Sequence, residues 1–411
     1  MFKENKYYGE VFLQSDEANK CFCLLELIDD KVYITTNLTI KNTASLIPII
    51  YGEFTSLGHL TFVNCLIRNS STGMIETLTY QPKYTFVSGH HPIDPIGLKI
   101  KHFQIDNSAI VNWIRGMHLY NSIEQKLEKQ EDIKLSTNIN ENLNITVTKS
   151  TTHTSNQEFF RMDNVGYVTF KSTIEVSILE AIELYNTFQK LFYFIYGKSA
   201  QFKSFSFQCL GCGYWASLYY KNDYTKNNIS SYINIDYWKI KDEFSNIIKH
   251  WFTNKDVAYC SDIIIENLLS IKTSHSRRFT NSYAAFEAFS SIFGNKHKNP
   301  SAEKYFFEHK DLLIEITNIP EKDIKGYIKK IVRNRDYLVH RNNTKNNIFS
   351  QFELLYISLL LDYIVGIGLM KQMEVSNKII QLIISKAKST FQDMQAVNKI
   401  LNQDLLYEKK E

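Results

Sequence analysis

Glu321–Lys345, EKDIKGYIKKIVRNRDYLVHRNNTK, is the stretch whose reading decides how this 411-residue chain is organised. At about 100° per residue, Ile324, Ile328, Ile331, Val332, Leu338 and Val339 share one face, the apolar stripe of an amphipathic helix. Arg335 lies in the middle of that stripe. A guanidinium keeps its proton in any protein environment, so there it must be paired, hydrogen-bonded or turned toward a polar site. Asp336 and His340 are i and i+4 and share a flank beside the stripe, together with Lys329 and Arg333. The segment carries eight basic residues against three acidic ones. A fixed cation, an Asp–His pair and a basic surround suit chemistry on an anion. Each feature also has a plainer reading: a structural ion pair for Arg335, with a Glu on the next helix, and an idle surface imidazole for His340.

Length and charge bound the rest. The chain is long enough for two or three domains with ample core. A net charge of +4 is mild, so a nucleic-acid footprint must be local rather than global. Six irregularly spaced cysteines make no disulfide framework and predict reduced thiols. The opening MFKENKYYGEVFL lacks an apolar signal region, which predicts a cytoplasmic protein. Walker A, GxGxxG and GxSxG patterns are all missing, which removes the motif support for nucleotide hydrolysis and serine catalysis.

The fold class is α+β. Strands are predicted at Gly9–Leu13, Cys21–Ile28, Val32–Thr35, Ile47–Thr55, Leu57–Ile67, Thr77–Val87 and Ile96–Gln104, a spacing that suits a sandwich or a barrel-like sheet. Ala109–Leu119 reads as a short helix anchored by Trp113, and polar 121–140 as a loop or exposed element. Further strands follow at Leu143–Lys149 and Glu158–Phe170, with a turn near Asp163-Asn164. Glu175–Tyr196 is a helix stopped by Gly197, and Phe202–Gln208 with Tyr214–Tyr220 forms a hairpin. Residues 1–255 are thus one β-rich domain with possible subdomains of about 1–120 and 121–255, and residues 256–411 an all-α domain. Its helices are predicted at Val257–Ile271, Ser276–Phe293, Ser301–Ile316, Glu321 to His340 or Asn343, Ile348–Met370 and Glu374–Leu406. The run Leu354–Met370 is apolar but carries Asp362 and is shorter than the ~20 residues a span needs, so it is a core or dimer-interface helix with no membrane role.

Other constellations carry less. Cys209-X-X-Cys212 has half the spacing of a zinc site and no second pair, and His90-His91-Pro92-Ile93-Asp94 reads as a stiff loop. No metal and no cofactor is expected. The 27 Phe and 25 Tyr are mostly sheet core, though exposed ones on the β-domain suit base stacking or a protein grip. His275-Ser276-Arg277-Arg278 reads as a solvated helix start.

Arg335 and His340, five positions apart with polar Asp336 between them, resemble the Arg-X4–6-His motif of the HEPN superfamily. The wider pattern resembles its ApeA-like branch: Tyr8-Gly9-Glu10-Val11, Ile50-Tyr51-Gly52-Glu53-Phe54, Leu60 to Cys65, Trp113, Arg277-Arg278-Phe279, Ala285–Ala288 and Gly366-Ile367-Gly368. The branch commonly has Asn directly after the motif Arg, where this chain has Asp336. The resemblance implies a β-rich N-terminal region before a HEPN bundle, and a metal-independent anti-phage endoribonuclease that aborts infection. The catalytic set would be Arg335, His340 and Asp336, supported by Glu287 and Arg333. Lys329, Lys330, Arg341 and Lys345 would hold RNA, whether tRNA or mRNA. On an ideal helix Arg335 and His340 lie about 140° apart, so either the helix ends before His340 or two motifs meet across the homodimer that the family implies. A phage-derived trigger would act on the N-terminal domain. The alternative is a non-catalytic HEPN nucleotide-binding or scaffold protein whose β-domain senses such a ligand.

Overall fold

The computed structural model describes residues 4–38, 46–72, 75–92, 94–114, 120–121, 126–127, 131–155, 160–197, 202–209, 215–220, 233–269, 273–296, 301–340 and 348–407. Their contacts divide the chain into two compact units, Met1–Asn186 with Ala200–Lys226, and Thr187–Ser199 with Asn227–Glu411.

The first unit is built on β1 (Lys6–Leu13), β2 (Asp16–Ile28), β3 (Lys31–Thr36), β4 (Leu46–Phe54), β5 (Gly58–Ser71) and β6 (Thr77–Ser88). They hydrogen-bond in the order β6-β3-β2-β1-β4-β5, and β5 pairs back onto β6, closing a six-stranded barrel. Of the two β architectures the strand spacing allows, the closed one forms. Asp29 and Asp30 both have positive φ and join β2 to β3 as a two-residue hairpin. The two Gly-Glu motifs also have a packing reason. A Cβ on Gly9 would lie 2.4 Å from the Glu53 carbonyl oxygen, and one on Gly52 2.8 Å from the Phe54 ring. The two glycines make the room in which Phe54 is buried among Val11, Leu60 and Phe62.

One edge of strand β6 is shared by two strands. Its Leu78–Tyr80 segment pairs with β3 and its Tyr84–Val87 segment with β14 (Trp215–Tyr220). Pro82 falls between the two segments, where a missing N–H does least harm to either ladder. Beyond β14 the sheet runs through β13 (Phe202–Cys209), β7 (Lys99–Asn107), β12 (Phe160–Ser177) and β11 (Leu143–Ser155) to β10 (Ile133–Asn138). One expectation is corrected here and another is made specific. Asp163 and Asn164 make no turn; they continue the ladder opposite Thr152 and Thr151. The polar stretch 121–140 contains a real strand, β10, and the two-residue pair β8 (Tyr120–Asn121) and β9 (Lys126–Leu127). Helix α1 (Ser108–Trp113) is capped by the Asn107 side chain and buries Trp113. The Cys209-X-X-Cys212 turn lies outside the described residues from position 210 on.

The outer face of the barrel holds His91 among aromatic rings. His91 stacks on Tyr51 at 4.6 Å between ring centroids and meets Phe12 edge-on. Burial, with the neighbouring His59, pushes the His91 pKa down to about 4, so the ring is neutral at physiological pH.

Helix α2 (Ile178–Tyr196) ends at Gly197, whose φ is +75°, and is divided between the units. Helix then resumes at α3 (Tyr237–Ile240) and α4 (Phe244–Thr253), earlier than the expected start at Asp256. In α4 the buried Phe244, Ile247, Ile248 and Trp251 repeat at i, i+3, i+4 and i+7. The rest of the second unit is α5 (Lys255–Leu269), α6 (His275–Phe293), α7 (Ala302–Glu308), α8 (Lys310–Thr317), α9 (Glu321–His340), α10 (Gln351–Gln372) and α11 (Asn377–Tyr407). The single helix expected over Ser301–Ile316 is broken at His309, whose ring turns onto Phe286 and Phe289.

Helix α10 is long and apolar enough to cross a membrane, yet most of it is buried inside this unit. It packs on α6 so closely that a Cβ on Gly368 would sit 2.1 Å from the tip of the Phe289 ring. Its buried carboxylate, Asp362, accepts hydrogen bonds from Asn267 and Ser282. Desolvation pushes its pKa up to about 7, and the positive charge of Arg278 works against that rise. Arg278 therefore serves the interior rather than a solvated helix start; Arg277 beside it is exposed.

Candidate active site on helix α9

Pro320 precedes α9, Glu321 and Asp323 occupy its first turn, where negative charge matches the helix dipole, and His340 lies in its last turn. Ile324, Ile328 and Ile331 bury its inner face. The next buried position is polar. Asn334 donates to the Lys330 carbonyl at 2.7 Å and accepts from the Phe349 backbone N–H at 2.7 Å, tying the start of the following helix to α9. The apolar stripe does not reach the C-terminal turn, where Val339 is 49% exposed.

Arg335 follows Asn334 and leaves the core at this point. Its side chain keeps 30% exposure, and its guanidinium lies over the Tyr283 ring, 5.6 Å from the centroid. Three polar groups surround it. Nη1 donates to Asp336 Oδ1 at 3.1 Å, Nη2 is 3.7 Å from Glu287 Oε2, and Nη1 lies 3.4 Å from His340 Nε2. A guanidinium has no acceptor, so a hydrogen bond between the two requires the His340 tautomer with its lone pair on Nε2.

This answers the 140° problem in a way neither expectation covered. The helix runs through His340 without ending early, and the long arginine side chain bridges the angular gap within one chain.

Glu287, predicted as a support from α6, sits beside the guanidinium. Burial pushes its carboxyl above the ordinary carboxylate range and Asp336 adds to that, while Arg335 pulls it back. Tyr283, one turn before Glu287 on α6, is the member that sequence reasoning missed. Its hydroxyl is buried without a hydrogen-bond partner, and burial drives its pKa upward. The i, i+4 spacing of Tyr283 and Glu287 on an aromatic-rich helix is the signal that could have found it.

The other predicted residues divide. Lys329 and Arg333 are exposed on α9. Lys330 instead folds its ammonium over the Phe349 ring, 4.2 Å from the centroid and 3.7 Å from Glu353, a packing role rather than an open phosphate contact. Arg341 and Lys345 lie outside the described residues.

Chemically, the cluster sets an imidazole beside a permanent cation, with Asp336 on the same guanidinium nitrogen as His340 and Glu287 on the other. Such a pair can take a proton from a hydroxyl and hold an anionic oxygen at once.

Comparison with known families returns two matches in chain order. The family described as ApeA N-terminal domain 1 matches residues 6–251, more than half of the chain, and the one described as Apea-like HEPN matches residues 265–379. No curated protein and no solved structure matches the chain. The Apea-like HEPN match takes in Tyr283, Glu287, Arg335, Asp336 and His340, and the N-terminal match takes in the barrel, so the chain belongs to the ApeA-like HEPN family, whose domain pairing is that of a nuclease-type defence protein.

Proposed function

We propose that the protein is a metal-independent endoribonuclease that cuts RNA from its own 2′-hydroxyl and acts in anti-phage defence by aborting infection. The observation that carries this reading is the 3.4 Å approach of the Arg335 guanidinium to His340 Nε2 at a position where both remain open to solvent. His340 accepts the 2′-OH proton as the 2′-oxygen attacks phosphorus, and the P–O5′ bond breaks. The 5′-oxygen leaves with a proton taken from solvent water, giving a 2′,3′-cyclic phosphate and a 5′-OH. Arg335 holds the non-bridging oxygens and offsets the extra negative charge of the five-coordinate transition state. Asp336 and Glu287 orient the guanidinium, and Lys329 and Arg333 supply outer phosphate contacts. Two copies pair through the HEPN domain with their motifs facing, a role for which the exposed Val339 beside His340 is suited. The N-terminal barrel takes the trigger that releases the activity.

End-group analysis of cleaved RNA tests the chemistry. Products with 2′,3′-cyclic phosphate and 5′-OH ends, and no cleavage of a substrate carrying a single 2′-deoxy residue at the cut site, are expected. Ends bearing a 3′-OH and a 5′-phosphate would overturn the mechanism. The competing reading, a scaffold in which Arg335 is a structural ion pair, draws on the Glu287 contact at 3.7 Å. It predicts loss of fold in Arg335→Ala and no RNA cleavage by the intact protein.

A further inference from the structure

Sequence reading weighs His90–Asp94 as a source of metal ligands and favours a stiff loop, and the barrel gives the segment a different setting. The β4–β5 hairpin places Glu53 directly opposite His59 in the ladder, so both side chains leave the outer face of the barrel together. The chain beyond β6 brings His91 onto the same spot. His59 Nδ1 and His91 Nε2 are 3.4 Å apart, and ligand atoms of Glu53, His59 and His91 all lie within 4.8 Å of one another. In a tetrahedral site with metal–ligand distances near 2.1 Å, ligand atoms are about 3.4 Å apart. The two imidazoles already have that separation.

Their surroundings are those of an oriented ligand set. His91 Nδ1 is 3.2 Å from the hydroxyl of fully buried Thr61, and its ring is stacked on Tyr51, whose own hydroxyl donates to the Pro92 carbonyl at 3.1 Å. A hydrogen bond from Nδ1–H to Thr61 leaves the Nε2 lone pair aimed at His59, the arrangement that supports metal-bound histidines. Lys20 Nζ reaches Glu53 Oε2 at 2.5 Å and leaves Oε1 for a cation. Glu53 and His59 also line an open cleft of about 600 Å³, walled by Tyr8, Glu10 and Phe22. Solvent in that cleft can reach a fourth coordination position.

We propose that Glu53, His59 and His91 bind one divalent transition metal ion of the zinc class on the outer face of the N-terminal barrel, with the fourth position open to the cleft. Two imidazole nitrogens and one carboxylate oxygen form a donor set suited to zinc or cobalt rather than to magnesium or calcium, which take mainly oxygen ligands. The site belongs to the unit that does not carry Arg335, and it needs no part in RNA cleavage.

The test uses the tag-free full chain, stripped with EDTA and dialysed, then titrated with zinc chloride by calorimetry and metal analysis. One zinc per chain is expected, with affinity lowered by about 100-fold or more in His59→Ala and His91→Ala. Failure of the wild type to bind zinc, or zinc binding by either variant as tight as the wild type's, would overturn the proposal. Should a variant misfold, cobalt loading of the wild type decides. Visible d–d bands without a thiolate charge-transfer band support the His/Glu set, whereas a thiolate band places the metal on cysteines and removes the proposal.

Discussion

The barrel and the helical bundle gather polar side chains by different means. In the bundle, Arg335, Asp336 and His340 come from one helix and meet because a single long side chain crosses about 140° of helix surface. Only Glu287 and Tyr283 arrive from elsewhere, together, on α6. In the barrel, Glu53, His59 and His91 meet through strand register and a returning loop, and nothing in their local spacing announces the meeting. A cluster built along one helix is legible as a motif. A cluster built across strands is legible only once the register is known.

The barrel core and the bundle also differ in what they bury, and a pH experiment exploits this. The barrel core consists of apolar side chains with neutral Tyr and Cys, whereas the bundle holds the Asp362 carboxyl among Asn267, Ser282 and Arg278. A carboxyl whose folded pKa rises to about 7 contributes stability that is fully present below its unfolded pKa, near 4, and is lost as pH climbs through about 7. Between about pH 4 and pH 8, thermal unfolding of the wild type minus that of Asp362→Asn should therefore show stability falling with rising pH, by up to about 4 kcal/mol. A difference that stays flat would mean the carboxyl is not what ties the bundle to pH.

Close packing gives the next largest effect and separates the units more sharply. Gly368→Ala drives a methyl into Phe289 between α10 and α6, and Gly9→Ala drives one into the Glu53 carbonyl between β1 and β4. Each should cost about 1–3 kcal/mol of stability in denaturant unfolding. Only Gly9→Ala, which displaces Glu53, should also weaken zinc binding. Equal loss of zinc affinity in both variants would erase the proposed separation of roles. The smallest effect is a gain. A Cβ at Gly326, in the exposed part of α9, meets nothing within 4 Å, so Gly326→Ala should stabilise the bundle by about 0.5–1 kcal/mol.

Much of this architecture was readable before any coordinates, for physical reasons that particular elements make plain. β1 to β6 are rich in β-branched and aromatic residues and are punctuated by turn residues such as Asp29-Asp30, so the strands stood out. Closure into a barrel did not, because it depends on β6 pairing with β5 along its whole length while dividing its other edge. β10 escaped notice since IKLSTN presents only Ile133, Leu135 and Thr137 inward, among polar neighbours. α4 has a clean i, i+3, i+4, i+7 stripe that the surrounding β-rich composition obscured. On α9 the stripe was correctly placed through Ile331, but Asn334 replaces apolar burial with a backbone clasp on Phe349, and Val339 faces out. Lys330 looks like any surface lysine in the sequence; only the return of Phe349 and Glu353 shows its ammonium to be engaged.

The account stands or falls on whether the Arg335–His340 pair cuts RNA. The direct measurement is the single-turnover cleavage rate of RNA in EDTA by the wild type, His340→Ala and Arg335→Ala, with unfolding curves on the same samples. The wild type should cut without added metal, and each variant should lose about 10²–10⁴-fold in rate while unfolding within about 1 kcal/mol of the wild type. Cleavage that survives in His340→Ala, or that appears only when a divalent metal is supplied, would contradict it.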